Sequence, residues 1–233
     1  MQEGIECSSY SVLRTEKKYE IPPDTRSVLT TRLSKIMDMD RYSGARGYLV
    51  RSLYFDSIGD DDFLDKINGL ESRKKIRLRT YSLTQPWIKL ELKQKQGAVQ
   101  MKKTLQILPQ TAMELMRGHF APLLAQEGSF PKELYQMLSC GLYRPRCIVE
   151  YRRKAFTAQA NDTRITIDTD IRVSRHCERF FEPAAVFTPL LGPSVLEVKY
   201  NGFLLEQCRE AIRTADIPEM SFSKYEMARR ALH

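Results

Sequence analysis

The chain has 233 residues, enough for one large domain or two small ones, and its 42% hydrophobic and 28% charged content is ordinary for a globular protein. No run approaches the roughly 18 apolar residues that span a bilayer, which argues against a membrane helix. The net charge of +8 and a pI near 9.2 suit an anionic partner: nucleic acid, phosphates or an anionic membrane surface.

In chain order, Asp24 is expected to cap a helix running to about Met39, with Val28, Leu29, Leu33, Ile36 and Met37 as its apolar stripe. Tyr48 to Asp56 reads as a strand with Leu49, Leu53 and Phe55 on one face. Asp60, Asp61 and Asp62 open a short helix, where acidic groups suit the positive end of the dipole. Strands follow at about 73–82, 86–95 and 99–106, with a hairpin turn at Gln96, Gly97 and Ala98. Residues 109–142 read as helical, broken near Pro122 and between Gly128 and Pro131. Two strands at about 145–157 and 163–173 are joined by a turn at Asn161 and Asp162. Residues 174–193, containing Pro183, Pro189 and Pro193, read as irregular, with Phe180, Phe181 and Phe187 packing over an edge. A strand at 194–201, a helix at 202–214 and a helix from Ser221 to Leu232, with Ser223 near its start, complete an α+β pattern of one domain.

The strands carry the chemistry. Lys75-Ile76-Arg77-Leu78-Arg79 sends three cations to one face and two aliphatic side chains to the other. At an effective dielectric near 20, like charges about 6.6 Å apart repel by on the order of 2.5 kcal/mol, so a walled-in face needs an anion. The pattern recurs. Lys89, Glu91, Lys93 and Lys95 share a face, as do Glu16, Lys18 and Glu20, then Tyr151 and Arg153, and Glu197 and Lys199. Arg164, Thr166, Asp168 and Asp170 lie opposite Ile165, Ile167 and Ile171. Such a sheet is either open, with its charged side in water, or closed on that side so that the charges line an interior. Alternation alone leaves both arrangements open.

Cys7, Cys140, Cys147, Cys177 and Cys208 show no CxxC spacing and are read as reduced thiols; His119, His176 and His233 form no metal-binding spacing. Met1 to Cys7 has neither the basic start nor the apolar core of a signal peptide. A soluble, cytoplasmic protein is expected.

From about Arg14 to Arg229 the chain resembles the triphosphate tunnel metalloenzyme (CYTH-like) superfamily and, within it, the VTC domain, the polyphosphate polymerase module of the vacuolar transporter chaperone complex. The resemblance rests on ordered motifs: Glu16-Lys17-Lys18-Tyr19, Arg51-Ser52-Leu53-Tyr54-Phe55-Asp56, Arg77-Leu78-Arg79, Glu91-Leu92-Lys93, Tyr151-Arg152-Arg153-Lys154-Ala155-Phe156, Arg164-Ile165-Thr166-Ile167-Asp168, Val195-Leu196-Glu197-Val198-Lys199 and Ser223-Lys224-Tyr225. It implies an antiparallel eight-stranded β-barrel with helices packed on the outside and a basic tunnel within. Carried over by position, Lys18, Arg77, Arg79, Lys93, Arg153, Arg164 and Lys224 bind phosphates, with Lys75 and Lys199 beside them, and Tyr151 and Ser223 add hydrogen bonds. One more lysine is expected after the hairpin, Lys102 or Lys103. Glu197 is the expected ligand of Mn²⁺ or Mg²⁺, with Glu91 and Glu16 as further candidates; Glu91 otherwise bridges Lys89 and Lys93.

The implied activity is metal-dependent transfer of the ATP γ-phosphate to inorganic polyphosphate. A triphosphatase and a non-catalytic polyphosphate binder are the alternatives; nucleic acid ranks last, since no recognition helix or row of stacking aromatics is present. Two departures stand out. Ser221 occupies a position where the family leads one to expect a basic residue, and only one usable carboxylate, Glu16, precedes Lys18. The phosphate-sensing domain and membrane segments of the eukaryotic complex do not accompany these motifs, so sensing and export are not expected to carry over.

Overall fold

In the computed structural model, residues 8–11, 15–97, 99–190, 192 and 194–232 are described. The readings placed on Met1 to Cys7, Arg14, Ala98, Pro193 and His233 lie outside them. The elements are β1 (Ser8–Ser11), β2 (Thr15–Ile21), α1 (Pro23–Ile36), β3 (Asp38–Met39), β4 (Tyr48–Asp56), α2 (Asp61–Ile67), β5 (Arg73–Thr80), β6 (Ile88–Gln96) and β7 (Val99–Ile107). They continue with α3 (Pro109–Met116), α4 (Ser129–Cys140), β8 (Arg144–Ala158), β9 (Thr163–Ser174), β10 (Thr188–Pro189), β11 (Ser194–Tyr200), α5 (Glu206–Arg213) and α6 (Lys224–Leu232).

Eight long strands pair antiparallel in the order β7-β6-β5-β4-β8-β9-β11-β2 and curl into a half-barrel. β1 pairs along the outer edge of β7, while β3 and β10 flank β8 and β9. The two ends of this sheet, β1 and β2, are consecutive in the chain and are not hydrogen-bonded to each other in the strand order. Side chains cross the gap instead: Lys93 on β6 donates to Glu16 on β2 at 3.1 Å.

Alternation decides the faces. On the convex side, Leu53, Phe55, Ile76, Leu78, Leu90 and Leu92 pack against α3 and α4; Phe156, Ile165, Ile167, Leu196 and Val198 pack against Leu29 and Leu33 of α1 and Cys208 and Ile212 of α5. Each such fully buried aliphatic side chain contributes about 1.5–3 kcal/mol. The charged faces therefore turn inward, to the concave side. The last helix, α6, also lies on the concave side: Tyr225 stacks on Tyr54 at 5.0 Å between ring centroids, and its hydroxyl donates to Asp56. Phe222, Tyr225 and Ala228 join Val50, Val149, Val173 and Val195 in a third apolar cluster that plugs one side of the half-barrel.

Several expectations need correction. Helix α1 ends at Ile36 and starts after Pro22, with Pro23 in its first turn, so Asp24 lies inside the helix instead of capping it. Met39 belongs to β3, and Val28 is 48% exposed, off the buried stripe. Helix α5 starts at Glu206, not near 202. Ile171 sits on the concave face, opposite Ile165 and Ile167, because the chain passes through positive φ at Asp170 (51°) beside a register shift at Glu150/Arg152. Phe180 is fully buried in the core. Cys140 is exposed and Cys147, Cys177 and Cys208 are buried, all as unpaired thiols. Among the described residues no helix is long and apolar enough to cross a membrane.

Candidate active site

Strands β2, β5, β6, β7, β8 and β11 deliver charge into one space. Lys18 from β2, Glu197 from β11 and Thr166 from β9 are register neighbours across three strands. Lys75 faces Lys93, and Arg77 faces Glu91, across β5 and β6. The next pairing, β6 with β7, sets Lys93 opposite Lys102.

Glu16 and Glu197 form the first group. Lys18 Nζ lies 3.0 Å from Glu16 and 3.9 Å from Glu197, and it also donates to the Phe222 carbonyl at 3.1 Å. Lys199 Nζ lies 3.3 Å from Glu197 and 3.8 Å from Glu16. Burial pushes the Glu197 carboxyl up, but Lys199, Lys18 and Arg153 outweigh it and hold the group well below the usual carboxylate range. Burial and Glu197 raise Glu16, while Lys199, Lys18 and Lys93 bring it below its ordinary value. Two carboxylates side by side, with phosphate oxygens and water completing the shell, are the kind of donor set Mg²⁺ takes. Among the described residues there is no cluster of three or more such protein ligands, so Glu16 and Glu197 fit a cation only if substrate oxygens complete its coordination.

Glu91 stands apart from that pair. Its carboxylate accepts from Arg77 Nε at 2.7 Å and meets Lys102 Nζ at 2.6 Å and Arg79 Nη1 at 3.7 Å. It bridges these three cations, not Lys89 and Lys93, and its residue is 1% exposed. Arg77 also donates to the Tyr54 hydroxyl at 3.0 Å and Arg79 to Ser52 at 3.1 Å. Both guanidiniums are thus aimed by partners behind them, with donors left for a ligand.

A third group centres on Asp168, which is fully buried. Arg153 donates to it twice, at 2.6 and 2.8 Å, and Lys224 Nζ approaches to 2.6 Å. Arg153 also lies 3.6 Å from Glu197, linking this group to the first. Tyr151 acts here through its ring, which sits 5.3 Å from the Arg153 guanidinium and 4.8 Å from the Lys224 ammonium. Gly47, at φ +71°, lets the chain before β4 press on Arg153, since a Cβ there would lie 2.6 Å from the Arg153 carbonyl oxygen.

Two cavities of about 520 and 560 Å³ share Glu16, Lys18, Lys75, Lys93, Phe222 and Ser223, so they form one continuous space. Nine Lys and Arg but three Asp and Glu line the first; seven and two line the second. That surplus calls for an anion. Lys75 shows it most sharply. Its Nζ donates to Ser223 Oγ at 2.8 Å, and burial, then Lys18, Lys93, Arg77 and Lys66, drive its pKa down to about 7. At the Ser221 position, Lys66 of α2 donates to Ser221 Oγ at 3.3 Å, so another element brings a cation to where the last segment lacks one.

Lys102 faces the channel, whereas Lys103 points to the convex side and pairs with Glu133 of α4. Arg164 lies on the same wall but outside both cavities, paired with Asp40 at 3.0 Å. Ser223 Oγ, besides receiving Lys75, accepts from the Glu226 amide as a helix cap at 3.3 Å. Asp168 and Tyr54 were given no role by the sequence; the signal for Asp168 was its place on the face of Arg164 and Thr166.

The comparisons can now be set beside this geometry. The family model for the VTC domain matches residues 13–233. No curated protein matches the chain. Among solved structures, a Hippeastrum protein named as a candidate adenylyl cyclase with a dominant triphosphatase activity is 15% identical, with a TM-score of 0.55, covering 93% of this chain and 95% of that one. A Bacillus halodurans protein named as a candidate adenylate cyclase is 14% identical, with a TM-score of 0.53, covering 91% and 96%. At such identities these two share the fold alone.

Proposed function

This chain belongs to the VTC domain family, and from that premise we propose that it is a polyphosphate polymerase that transfers the γ-phosphate of ATP to a growing inorganic polyphosphate chain. One observation carries the reading: the strands' cationic faces converge on a single walled channel in which cations outnumber carboxylates. A linear polyanion matches such a channel along its whole length.

Phosphoryl transfer asks the protein for alignment and charge stabilisation. Arg77 and Arg79, held from behind by Glu91, Tyr54 and Ser52, offer fixed forks to non-bridging phosphate oxygens. Arg153 and Lys224, held by Asp168, do the same on the opposite wall. Lys18, Lys75, Lys93, Lys102 and Lys199 add further amino groups along the channel. Glu16 and Glu197 are the residues to hold Mg²⁺ or Mn²⁺, which when bound neutralises phosphate charge and polarises the transferring group. The bond from the γ-phosphorus to the bridging oxygen breaks, ADP leaves with that oxygen, and a terminal oxygen of the acceptor chain makes the new bond. That oxygen is already anionic, so no general base is required.

The test is direct. Purified protein with ATP and Mn²⁺ is expected to make acid-stable phosphate polymer, and chelation to stop it. Phosphate release from ATP or tripolyphosphate without chain growth would overturn the reading in favour of a hydrolase. Polyanion binding without turnover, unchanged by Glu197→Ala, would leave a binding module.

A further inference from the structure

The two ends of the channel differ in chemistry. At the end lined by Lys66, Arg73, Lys74 and Lys95, charge dominates. Past Arg79 and Lys102, beyond the lining of both cavities, the inner faces of β4, β5 and β6 run out into aromatic rings. Trp87, the only tryptophan in the chain, precedes Ile88 and lies on the face of Lys89, Glu91 and Lys93 by strand alternation. Tyr81 follows β5 on the face of Arg77 and Arg79, and Tyr48 opens β4. Tyr48 and Tyr81 meet edge to face, 5.9 Å between centroids.

Lys89 sits between the rings, its ammonium 5.3 Å from the Tyr81 centroid and 5.8 Å from that of Trp87. Among the described residues no carboxylate pairs with it, unlike Lys18, Lys93, Lys102, Lys199 and Lys224. Trp87, Tyr81 and Lys89 are all half-buried, so their surfaces remain reachable. The loop that presents them is braced, because Gln85 accepts from the Tyr81 amide at 3.1 Å and from Thr80 Oγ1 at 3.2 Å. The group also adjoins the phosphate site: burial raises the Tyr81 hydroxyl, but Arg79 lowers it more than Glu91 raises it, and with Lys89 and Lys102 leaves it below its ordinary value. Along β6, Glu91 to Trp87 spans about 13 Å.

We propose that Trp87 and Tyr81, with Lys89 between them, form the stacking platform for the base of the donor nucleotide, so that ATP enters at this mouth and the phosphate chain extends toward Lys75 and Lys66. The assignment rests on the ATP-dependent reading above. Aromatic rings take the flat face of any base, whereas a bare phosphate chain has nothing to stack on them. The lysine supplies a cation for the α-phosphate once a base displaces it from the rings.

The single tryptophan gives a readout that needs no turnover. Titration of the unmodified protein with AMP-PNP is expected to quench Trp87 emission, and titration with inorganic tripolyphosphate to leave it largely unaltered while heat is still released in calorimetry. Trp87→Ala is expected to weaken AMP-PNP by about tenfold relative to tripolyphosphate, and Trp87→Phe to restore most of that ratio. Equal fluorescence changes for both ligands, or an unaltered affinity ratio in Trp87→Ala, would overturn the platform while leaving the phosphate channel standing. Failure of both ligands to bind would remove the channel reading and the platform with it.

Discussion

Two buried ionic networks occupy opposite faces of the same strands. On the convex face Glu150 receives Arg51 Nε at 2.5 Å and Arg172 Nε at 2.7 Å, and Arg51 Nη1 donates to the carbonyls of Phe180 and Glu182, both at 2.8 Å. Arg51 is 2% exposed and Glu150 1%. The buried Arg51 and Glu150 thus end on protein partners, with the half-exposed Arg172 closing the network toward solvent. On the concave face the carboxylates Glu16, Glu91, Asp168 and Glu197 also hold arginines and lysines, but cations are in excess and front an open space. A network whose buried guanidinium ends on protein acceptors serves stability; one whose cations front a cavity is completed by something that arrives. Both kinds come from Arg and Glu on alternating strands, so charge alone does not separate them.

The comparison breaks most visibly at its convex member. Glu150→Ala leaves Arg51 charged and buried, and is expected to cost about 3–5 kcal/mol of stability. Urea unfolding measures it, and the folded fraction should keep its tripolyphosphate affinity. Glu197→Gln is the opposite case. Polymer formation is expected to fall at least about a hundredfold, with AMP-PNP affinity within a few-fold of the parent. Arg77→Ala is expected to weaken tripolyphosphate by about 2 kcal/mol, near thirtyfold, in calorimetry.

The smallest effect is a pH slope at Lys75. With its pKa near 7 in the empty protein, the ammonium is present below that value and lost above it, so polyanion affinity should decline as pH rises from 7 to 8. One linked proton limits the decline to about tenfold per pH unit, and Lys75→Met should flatten it. The sign for folding is reversed. The unfolded chain holds this proton up to about 10.5, so Lys75 makes the empty protein more stable as pH climbs from 7 toward that value.

Much of this was legible from alternation. Lys75, Arg77 and Arg79 had to share a face, and so did Glu197 and Lys199, because strand side chains repeat every second residue. What alternation could not supply was the partner across the strand. Alternation leaves Glu91 either near the metal or between Lys89 and Lys93 along its own strand, but register sets Arg77 opposite it and brings Lys102 within reach. The same register separates Lys102 from Lys103, which local sequence left undecided. Ile171 was misplaced because a single residue in the left-handed region, Asp170, inverts the alternation beyond it, and no glycine announced it. That α6 lies within the curl follows from the stacking of Tyr225 on Tyr54, a contact between residues far apart in the chain.

The pairing of β2 with β11 sets the order in which this molecule can be completed. Glu16 and Lys18 precede the strand that positions them, Ser194–Tyr200, by about 180 residues, so they leave the ribosome long before it does. Until then the wall carrying Glu16 has no ladder partner among the long strands, and the channel lacks one side. The cost of closing so long a loop makes this a late, slow step. A nascent chain cut off before residue 194 can curl most of its sheet and pack its convex helices, yet has no means of gathering Glu16, Lys18 and Glu197 in one place.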